Sequence, residues 1–244
     1  ISEHIDVARI CLPIKIPVMV EKPLATTLKD AQEMAQLSRT NNTLLLTNFE
    51  TTWYGSNQTI KAEISKSDFG SIKKMIAKDG HNGPNEIGCS KEFLNWLTDP
   101  VKNGGGDGNK PIAVTAITRN FKPQIYPKVD DDATIILEYK NATGIIEASW
   151  DWSYGIKDFQ VYGENKSYYA ANGNTLFENK NTTKKESVEI VDTYYDNYLV
   201  YLRDVIQGKI SSKNDLSSLE NNLIVVEILE AAKKSAKTGK RVKL

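Results

Sequence analysis

The stretch Val18-Met-Val-Glu-Lys-Pro-Leu-Ala-Thr-Thr27 decides the fold. Its apolar beginning is typical of a buried strand, which Pro23 ends, and Thr27 is a suitable N-cap for the helix that follows. A second buried strand is predicted over residues 43–48. The order strand, helix, strand is typical of a parallel sheet in a doubly wound α/β domain.

Lys22 is placed by this pattern at the end of a strand. Parallel sheets bind their ligands at the carboxyl ends of their strands, so the Lys22 amine could donate to a hydroxyl or carbonyl oxygen whose charge changes during a reaction. The alternative is a solvated surface charge, which is the more common role of a lysine at a strand end. Lys22 alone leaves both interpretations open.

Two junctions along the chain are unusually short. Residues 6–12 and 17–21 are both predicted to be buried strands, and a parallel crossover between them would need about a dozen residues. Pro13-Ile-Lys-Ile16 is poor hairpin chemistry, so we expect a helix to be missing there, with a tight hairpin as the alternative. Four glycines fall within 103–108, where either a second missing stretch or a flexible loop is expected. The sequence begins at Ile1 rather than Met, so we also expect a missing N-terminal segment.

The rest of the chain is rich in predicted strands joined by short turns. That arrangement favours a largely antiparallel sheet in a second domain that begins near residue 50. Apolar stripes at helical spacing predict two closing helices, the first of which ends at Gly208. The predicted strands cover residues 71–77, 112–117, 133–139, 144–150, 159–162 and 167–170.

Composition excludes several classes of protein. The 244 residues carry 31 basic and 31 acidic side chains, so nothing in the charge favours nucleic acid or an anionic membrane as partner. No apolar run approaches the roughly 20 residues of a membrane helix, and a cytoplasmic protein is expected, although an export signal could precede Ile1. The two cysteines and two histidines have no metal-site spacing. Asp130–Asp132 alternate in direction on an extended chain, so no metal site is predicted there.

Several motifs occur in an order that resembles one family across essentially the whole chain. This is the glucose–fructose oxidoreductase/inositol dehydrogenase (Gfo/Idh/MocA) family. The motifs are Glu21-Lys22-Pro23, Gly80-His-Asn-Gly-Pro84, Phe93-Leu-Asn-Trp-Leu-Thr-Asp-Pro100, Gly104-Gly-Gly106, Tyr126-Pro-Lys-Val-Asp-Asp-Asp132, Ala148-Ser-Trp-Asp-Trp152 and Ile228-Leu-Glu-Ala-Ala232.

The resemblance implies an α/β protein with a partial Rossmann-type parallel sheet and an α/β substrate domain that has an open, mostly antiparallel sheet. Residues 1–49 would be the remainder of the dinucleotide-binding domain, and residues 50–244 the substrate and oligomerisation domain. Such a protein would use NAD or NADP to move a hydride to or from a sugar, polyol or related carbonyl substrate. It would form a homo-oligomer through the open sheet face.

The resemblance also implies roles for individual residues. Lys22, His81 and Asp107 would be catalytic. The cofactor pocket would be lined by Pro13, which is expected to close a strand, and by Glu21, Lys22, Pro23 and Asn48. The substrate would contact Trp53, His81, Trp96, Asp99 and Tyr126.

Plainer interpretations of these residues stay open. The aromatic side chains could be core residues, Asp99 a turn residue before Pro100, His81 plain surface and Asp107 a loop residue. The chain also lacks the GxGxxG turn that binds a pyrophosphate, so the principal acid/base residue and the phosphate site could both lie outside the sequence. Competing functions are an NAD-using glycosidase, a sugar-binding protein without turnover, and a fold that serves only dimerisation.

Overall fold

The computed structural model describes residues 1–87, 110–173, 175–179, 186–190, 197–213 and 215–244. The α-helices in these ranges are α1 (His4–Cys11), α2 (Leu28–Asn41), α3 (Gly55–Ile64), α4 (Tyr198–Ile206) and α5 (Leu219–Thr238). The strands are β1 (Val18–Glu21), β2 (Leu45–Asn48), β3 (Lys74–Gly80), β4 (Ala113–Arg119), β5 (Asp132–Glu138), β6 (Thr143–Ser149), β7 (Ile156–Tyr162), β8 (Ser167–Ala171), β9 (Thr175–Asn179), β10 (Glu186–Ser187) and β11 (Val242–Lys243).

The parallel pair predicted from the sequence is confirmed. Strands β1 and β2 pair in parallel from Val18 opposite Leu45 to Glu21 opposite Asn48. Helix α2 connects them, and its N-cap Thr27 accepts a hydrogen bond from the backbone N–H of Asp30 at 3.1 Å. The carboxyl ends of both strands therefore meet at one edge, where Glu21 and Asn48 face each other.

The strand predicted over residues 6–12 is wrong, because these residues belong to helix α1 and the turn after it. Ile5, Ala8 and Leu12 are buried at helical spacing, whereas Val7 and Ile10 are exposed. Arg9 contacts Asp6 one turn earlier at 3.0 Å and Glu33 of α2 at 2.7 Å. The short apolar run predicted a strand, but the three-and-four spacing of the buried residues determines the structure.

The short junction after α1 is the end of a helix and needs no inserted element. The Lys15 N–H donates to Leu12 O at 3.2 Å, and the Ile16 N–H donates to Cys11 O at 3.0 Å. Lys15 has φ 66°, so this is the Schellman pattern with a lysine in the left-handed position. The expectation of a missing helix between Pro13 and Ile16 is therefore wrong. The glycine-rich junction at 103–108 lies outside the described residues.

Among the described residues, the second sheet has nine strands in the order β10-β9-β8-β7-β3-β6-β5-β4-β11. Neighbouring strands are antiparallel except β3 and β6, which pair in parallel from Lys74 opposite Thr143 to Gly80 opposite Ser149. The six strands predicted after residue 70 are confirmed, as is the mostly antiparallel character of the sheet.

Three apolar clusters hold these elements together. The first packs α1 and α2 on β1 and β2, the second packs α3 on β7, β8 and β9, and the third packs α5 on β4, β5 and β6. Helix α5 contributes Leu219 and Val226 to the first cluster and Ile228 to the third. A single helix therefore fixes the small parallel sheet against the large one. No helix in the described ranges is long and apolar enough to cross a membrane.

Candidate active site

The carboxyl edge of β1 and β2 is organised by Asn48. Its side-chain Nδ2 donates to Glu21 Oε1 at 2.6 Å, and its backbone carbonyl accepts the Lys22 N–H at 3.0 Å. Asn48 is only 7% exposed, whereas the Lys22 side chain is exposed at the same edge. The backbone of Lys22 is thus held by the neighbouring strand while its amine stays accessible, and the structure brings Glu21, Lys22 and Asn48 together as predicted.

Trp53 supports this edge from the 3₁₀ turn Glu50–Trp53 that follows β2. Its Nε1 donates to Asn48 Oδ1 at 2.7 Å, and the centroid of its ring lies 5.1 Å from the ring centroid of Tyr201 on α4. The polar edge of Trp53 is therefore used to fix Asn48. This placement makes Trp53 a support for the site, although the half-buried ring still lies beside it.

His4 was not singled out as a site residue, yet it lies beneath the Lys22 segment. Its Nδ1 is 3.2 Å from the carbonyl oxygen of Leu24. Burial lowers the pKa of His4, against the opposing effect of this backbone contact. A strand over residues 6–12 does not predict this contact between His4 and Leu24. The helical spacing of α1 was the signal that could have revealed it.

His81 directly follows β3 and is fixed by backbone contacts on both sides. Its N–H donates to Ser149 O at 3.0 Å, and its carbonyl accepts the Trp152 N–H at 3.1 Å. Trp152 covers the preceding Gly80 so closely that a Cβ there would lie 2.5 Å from the indole ring. Glycine at position 80 is therefore required by this close approach.

The imidazole of His81 has a defined orientation. Its Nδ1 accepts a hydrogen bond from the Gly83 N–H at 2.9 Å, so the neutral ring carries its proton on Nε2. Burial lowers the pKa of His81, the Asp79 carboxylate acts in the opposite direction, and the Lys157 ammonium adds to the lowering. His81 is therefore a neutral donor through Nε2 near pH 7.

The loop that carries His81 is clamped by Lys122. Lys122 Nζ donates to Asn82 O, donates to Trp150 O at 2.8 Å, and lies 3.4 Å from the Asp151 carboxylate. Glu86, at 3.8 Å, completes the charged surroundings of this amine. Lys122 thus ties the His81 loop to the end of β6.

Tyr126 belongs to the same support of the His81 loop. It is 1% exposed, its hydroxyl donates to Glu86 Oε2 at 2.9 Å, and it accepts the Asn85 N–H at 3.1 Å. Burial raises the pKa of Tyr126 to about 12. The contact of Tyr126 with a substrate stays a prediction, and in this structure the phenol is buried among groups of the loop.

A charged cluster connects the Lys22 edge with the His81 edge. Lys157 Nζ donates to Glu50 Oε2 at 2.7 Å and lies 3.4 Å from the Tyr54 hydroxyl, which itself donates to Glu50 Oε1 at 2.7 Å. Hydrogen bonds from Lys157 and Tyr54 lower the pKa of Glu50, and Lys22 also contributes. Lys22 acts electrostatically on Glu50, and Lys157 acts on His81, so the cluster lies within electrostatic reach of both residues.

Pro13 lies away from this edge. Pro13 follows a helix, so the idea that it closes a strand is wrong. It precedes β1 and therefore lies at the amino end of that strand, opposite to the edge where Lys22 and Asn48 meet. The residues Trp96, Asp99 and Asp107 lie outside the described part of the chain.

Several solved structures share this fold. The aldose–aldose oxidoreductase of Caulobacter crescentus, solved with glycerol, is 17% identical with a TM-score of 0.83, covering 100% of this chain and 76% of that one. An inositol dehydrogenase homologue of Azotobacter vinelandii in complex with NAD+ is 17% identical with a TM-score of 0.80, covering 100% and 76%. An Agrobacterium radiobacter oxidoreductase with NAD+, L-tartaric acid and magnesium is 19% identical with a TM-score of 0.75, covering 99% and 77%.

Family models match both parts of the sequence, whereas no curated protein sequence is significantly similar to it. Residues 108–244 match the C-terminal alpha/beta domain of an oxidoreductase family, and residues 2–49 match the NAD-binding Rossmann fold of the same family. Together with the Glu21–Asn48 edge and the nine-stranded sheet, these matches establish that the chain belongs to the Gfo/Idh/MocA family of NAD-binding oxidoreductases.

Proposed function

We propose that this protein transfers a hydride between NAD or NADP and the CH–OH or carbonyl carbon of a sugar, polyol or related compound. The observation that carries the proposal is the exposed Lys22 at the carboxyl edge of β1 and β2, on the side that also presents Glu50, Lys157 and His81. Ligands of open α/β sheets bind at such an edge.

The residues at this edge fit the reactive end of a nicotinamide coenzyme. Lys22 offers an ammonium donor, and the Asn48 amide keeps one N–H beyond its bond to Glu21. The phosphate-binding glycine turn does not occur in this sequence, so the fit concerns the nicotinamide end alone. When bound, the coenzyme gives or takes the hydride.

Lys22 is proposed to act on the reacting oxygen of the substrate. Its ammonium group donates a hydrogen bond to that oxygen and stabilises the negative charge that develops when the carbonyl is reduced or the alcohol is deprotonated. The backbone hydrogen bond from Lys22 to Asn48 holds the Cα from which this side chain reaches the substrate.

His81 is proposed to orient the substrate rather than to take its proton. With Nδ1 occupied by the Gly83 N–H, the neutral ring has a donor at Nε2 and no acceptor left. A hydroxyl or carbonyl oxygen can accept from this N–H. The proton that leaves an alcohol therefore needs another acceptor than His81 in this tautomer.

We also propose that the chain divides into a cofactor-binding part, residues 1–49, and a substrate and oligomerisation part, residues 50–244. Two copies of the chain would associate through the open face of the nine-stranded sheet. Ile117, Ile136 and Tyr162 are 54%, 42% and 40% exposed on this face, and covering such side chains favours association. Ile117→Glu combined with Ile136→Glu should give a monomer in light scattering, and an unchanged mass would overturn this part of the proposal.

The decisive experiment uses the complete protein. NAD and NADP are titrated by tryptophan fluorescence, and an aldose and polyol panel is then followed at 340 nm. Lys22→Met should lower turnover by about 100-fold or more while the Kd of the cofactor changes little. Lys29→Met, an exposed lysine on α2, is the matched control and should retain activity.

Three results would contradict the proposal. If neither cofactor binds, the oxidoreductase function fails. Release of free sugar without net NADH would instead support the glycosidase. Binding of a sugar with no absorbance change would support a protein without turnover.

A further inference from the structure

Lys157 is a charged residue at the site to which the proposed mechanism assigns no role. Its ammonium donates to Glu50 Oε2 at 2.7 Å, lies 3.4 Å from the Tyr54 hydroxyl and is 5.9 Å from the centre of the Tyr54 ring. The side chain of Lys157 is 33% exposed and that of Glu50 is 68% exposed. The pair is therefore accessible to a small molecule.

The strand register directs Lys157 toward the site. Lys157 is the direct partner of Asp79 across β3 and β7, so both side chains leave the same face of the sheet. Phe159 and Val161 lie two and four positions after Lys157, so they leave β7 on the same face, and they pack in the apolar cluster beneath α3. Because His81 follows Asp79 by two residues, Lys157 stands beside the strand that delivers the imidazole.

The geometry of Lys157 is held in place before any substrate binds. Its backbone N–H donates to Asn172 Oδ1 at 3.1 Å. The Tyr54 ring beneath its ammonium packs against Gly173, where an added Cβ would lie 2.4 Å from the ring. A donor that is already positioned loses little conformational entropy on binding, which favours specific recognition.

The pair offers both partners that a hydroxyl group requires. Of the three N–H groups of the Lys157 ammonium, Glu50 and Tyr54 accept two among the described residues, which leaves one for a ligand. The carboxylate of Glu50 keeps lone pairs free to accept. A hydroxyl both donates and accepts, so it matches the pair, whereas a carboxylate ligand would be repelled by Glu50.

We propose that Lys157 and Glu50 form a specificity-determining subsite that binds a hydroxyl group of the substrate away from the reacting carbon. Lys157 donates to this hydroxyl and Glu50 accepts from it, while Lys22 contacts the reacting oxygen. The subsite selects neutral polyols and sugars over the corresponding sugar acids. The inference rests on the proposed function, because it assigns part of the substrate of that same site.

The experiment compares Lys157→Met, Lys157→Arg and Glu50→Gln with the matched control Lys66→Met. Lys66 lies just after α3, pairs with Glu63 at 2.6 Å and has a side chain that is 58% exposed, and it belongs neither to the site nor to the open sheet face. The probes are the best substrate of the aldose and polyol panel, its monodeoxy analogues and the matching sugar acid. The readouts are KM and kcat for each probe and the Kd of the cofactor.

Lys157→Met should raise the KM of the full substrate about tenfold to 100-fold, with kcat and the cofactor Kd close to those of the wild type. For one monodeoxy analogue, Lys157→Met and the wild type should have nearly the same KM. The hydroxyl that this analogue lacks is then the one that the subsite binds. Lys157→Arg should recover part of the affinity. Glu50→Gln should improve the sugar acid relative to the neutral substrate, and Lys66→Met should change nothing.

An unchanged KM of Lys157→Met for every probe would overturn the inference and leave the proposed function intact. The same holds if Glu50→Gln does not shift the preference between the acid and the neutral sugar. If Lys157→Met fails to fold, Lys157→Arg and Glu50→Gln decide by the same readouts. If the wild type turns over no probe with either cofactor, the proposed function itself fails, and the inference fails with it.

Discussion

Asn48 joins Glu21 to the neighbouring strand end through a 2.6 Å hydrogen bond from Nδ2 to the Glu21 carboxylate. Its side-chain oxygen meanwhile accepts the Trp53 indole N–H at 2.7 Å. One buried amide thus determines the relative position of both parallel strands and the 3₁₀ turn at the edge where Lys22 is exposed. The polar groups at this edge are interdependent, since replacing Asn48 would alter two contacts.

Asn48→Asp should destabilise the protein. The change replaces a donor by a second carboxylate beside Glu21, so the free energy of unfolding should fall by about 2–4 kcal/mol. Glu21→Gln in the same chain restores a donor and an acceptor and should recover at least half of the loss. Urea unfolding measures both variants. If Asn48→Asp lowers the free energy of unfolding by the same amount with and without Glu21→Gln, the Glu21–Asn48 contact contributes nothing.

His81 should titrate below its ordinary pKa of 6.5, because burial disfavours the imidazolium. The unfolded chain then binds the proton more readily than the folded one, so stability should fall as the pH drops below 6.5 until the folded pKa is also passed. Imidazole NMR can follow the two histidines separately, and His81→Gln assigns the signals. Heteronuclear spectra should show the Nε2–H tautomer. A proton on Nδ1 at neutral pH would contradict the contact with Gly83.

Lys122→Met should loosen the loop that carries His81. The change leaves the carbonyls of Asn82 and Trp150 without their ammonium donor, and the free energy of unfolding should fall by about 1–3 kcal/mol. Amide exchange in residues 81–87 should accelerate. The control is Lys110→Met, which breaks the exposed 2.6 Å pair with Glu227 and should cost about 1 kcal/mol or less. Similar losses in both variants would argue against a specific clamp.

Gly173→Ala should be more harmful than Gly208→Ala, although both glycines have positive φ, at 80° and 70°. The backbone strain is shared and amounts to about 1–2 kcal/mol. Only at Gly173 would the new Cβ collide with the Tyr54 ring, whereas nothing lies within 4 Å of it at Gly208. The collision should add about 1–3 kcal/mol in thermal unfolding. If the proposed subsite is correct, Gly173→Ala should also raise the substrate KM, because Tyr54 supports Lys157.

Local sequence signals predicted the parallel pair well. Pro23 after an apolar run and Thr27 with Asp30 three residues later define where β1 ends and α2 begins. Placement of Lys22 and Asn48 at one edge followed from the geometry of parallel strands, since both residues stand at or just after a strand end. Helix α1 was not predicted because a short apolar run fits a buried strand as well as a helix, although its buried positions repeat with helical spacing.

The charged cluster could not have been found in this way. Lys157 at the start of a strand and Glu50 in a short turn have no distinguishing local pattern, and 107 positions separate them in the chain. They meet only because β7 pairs with β3 while the turn after β2 lies over the same face. Tyr126 is the opposite case, since a recognised motif marks it in the sequence while only the structure shows that its ring is buried and its hydroxyl contacts Glu86.

The double attachment of the C-terminal helix makes the chain hard to dissect. Just before α5, the Ser217 carbonyl accepts the N–H of Thr47 in β2 at 3.1 Å, and near its other end Ser235 Oγ accepts the N–H of Ala116 in β4 at 2.9 Å. A fragment cut near residue 50 would leave the small sheet without its covering helix and expose Leu219 and Val226 on the remainder. Recombining two separately expressed pieces should therefore restore solubility that neither piece has alone.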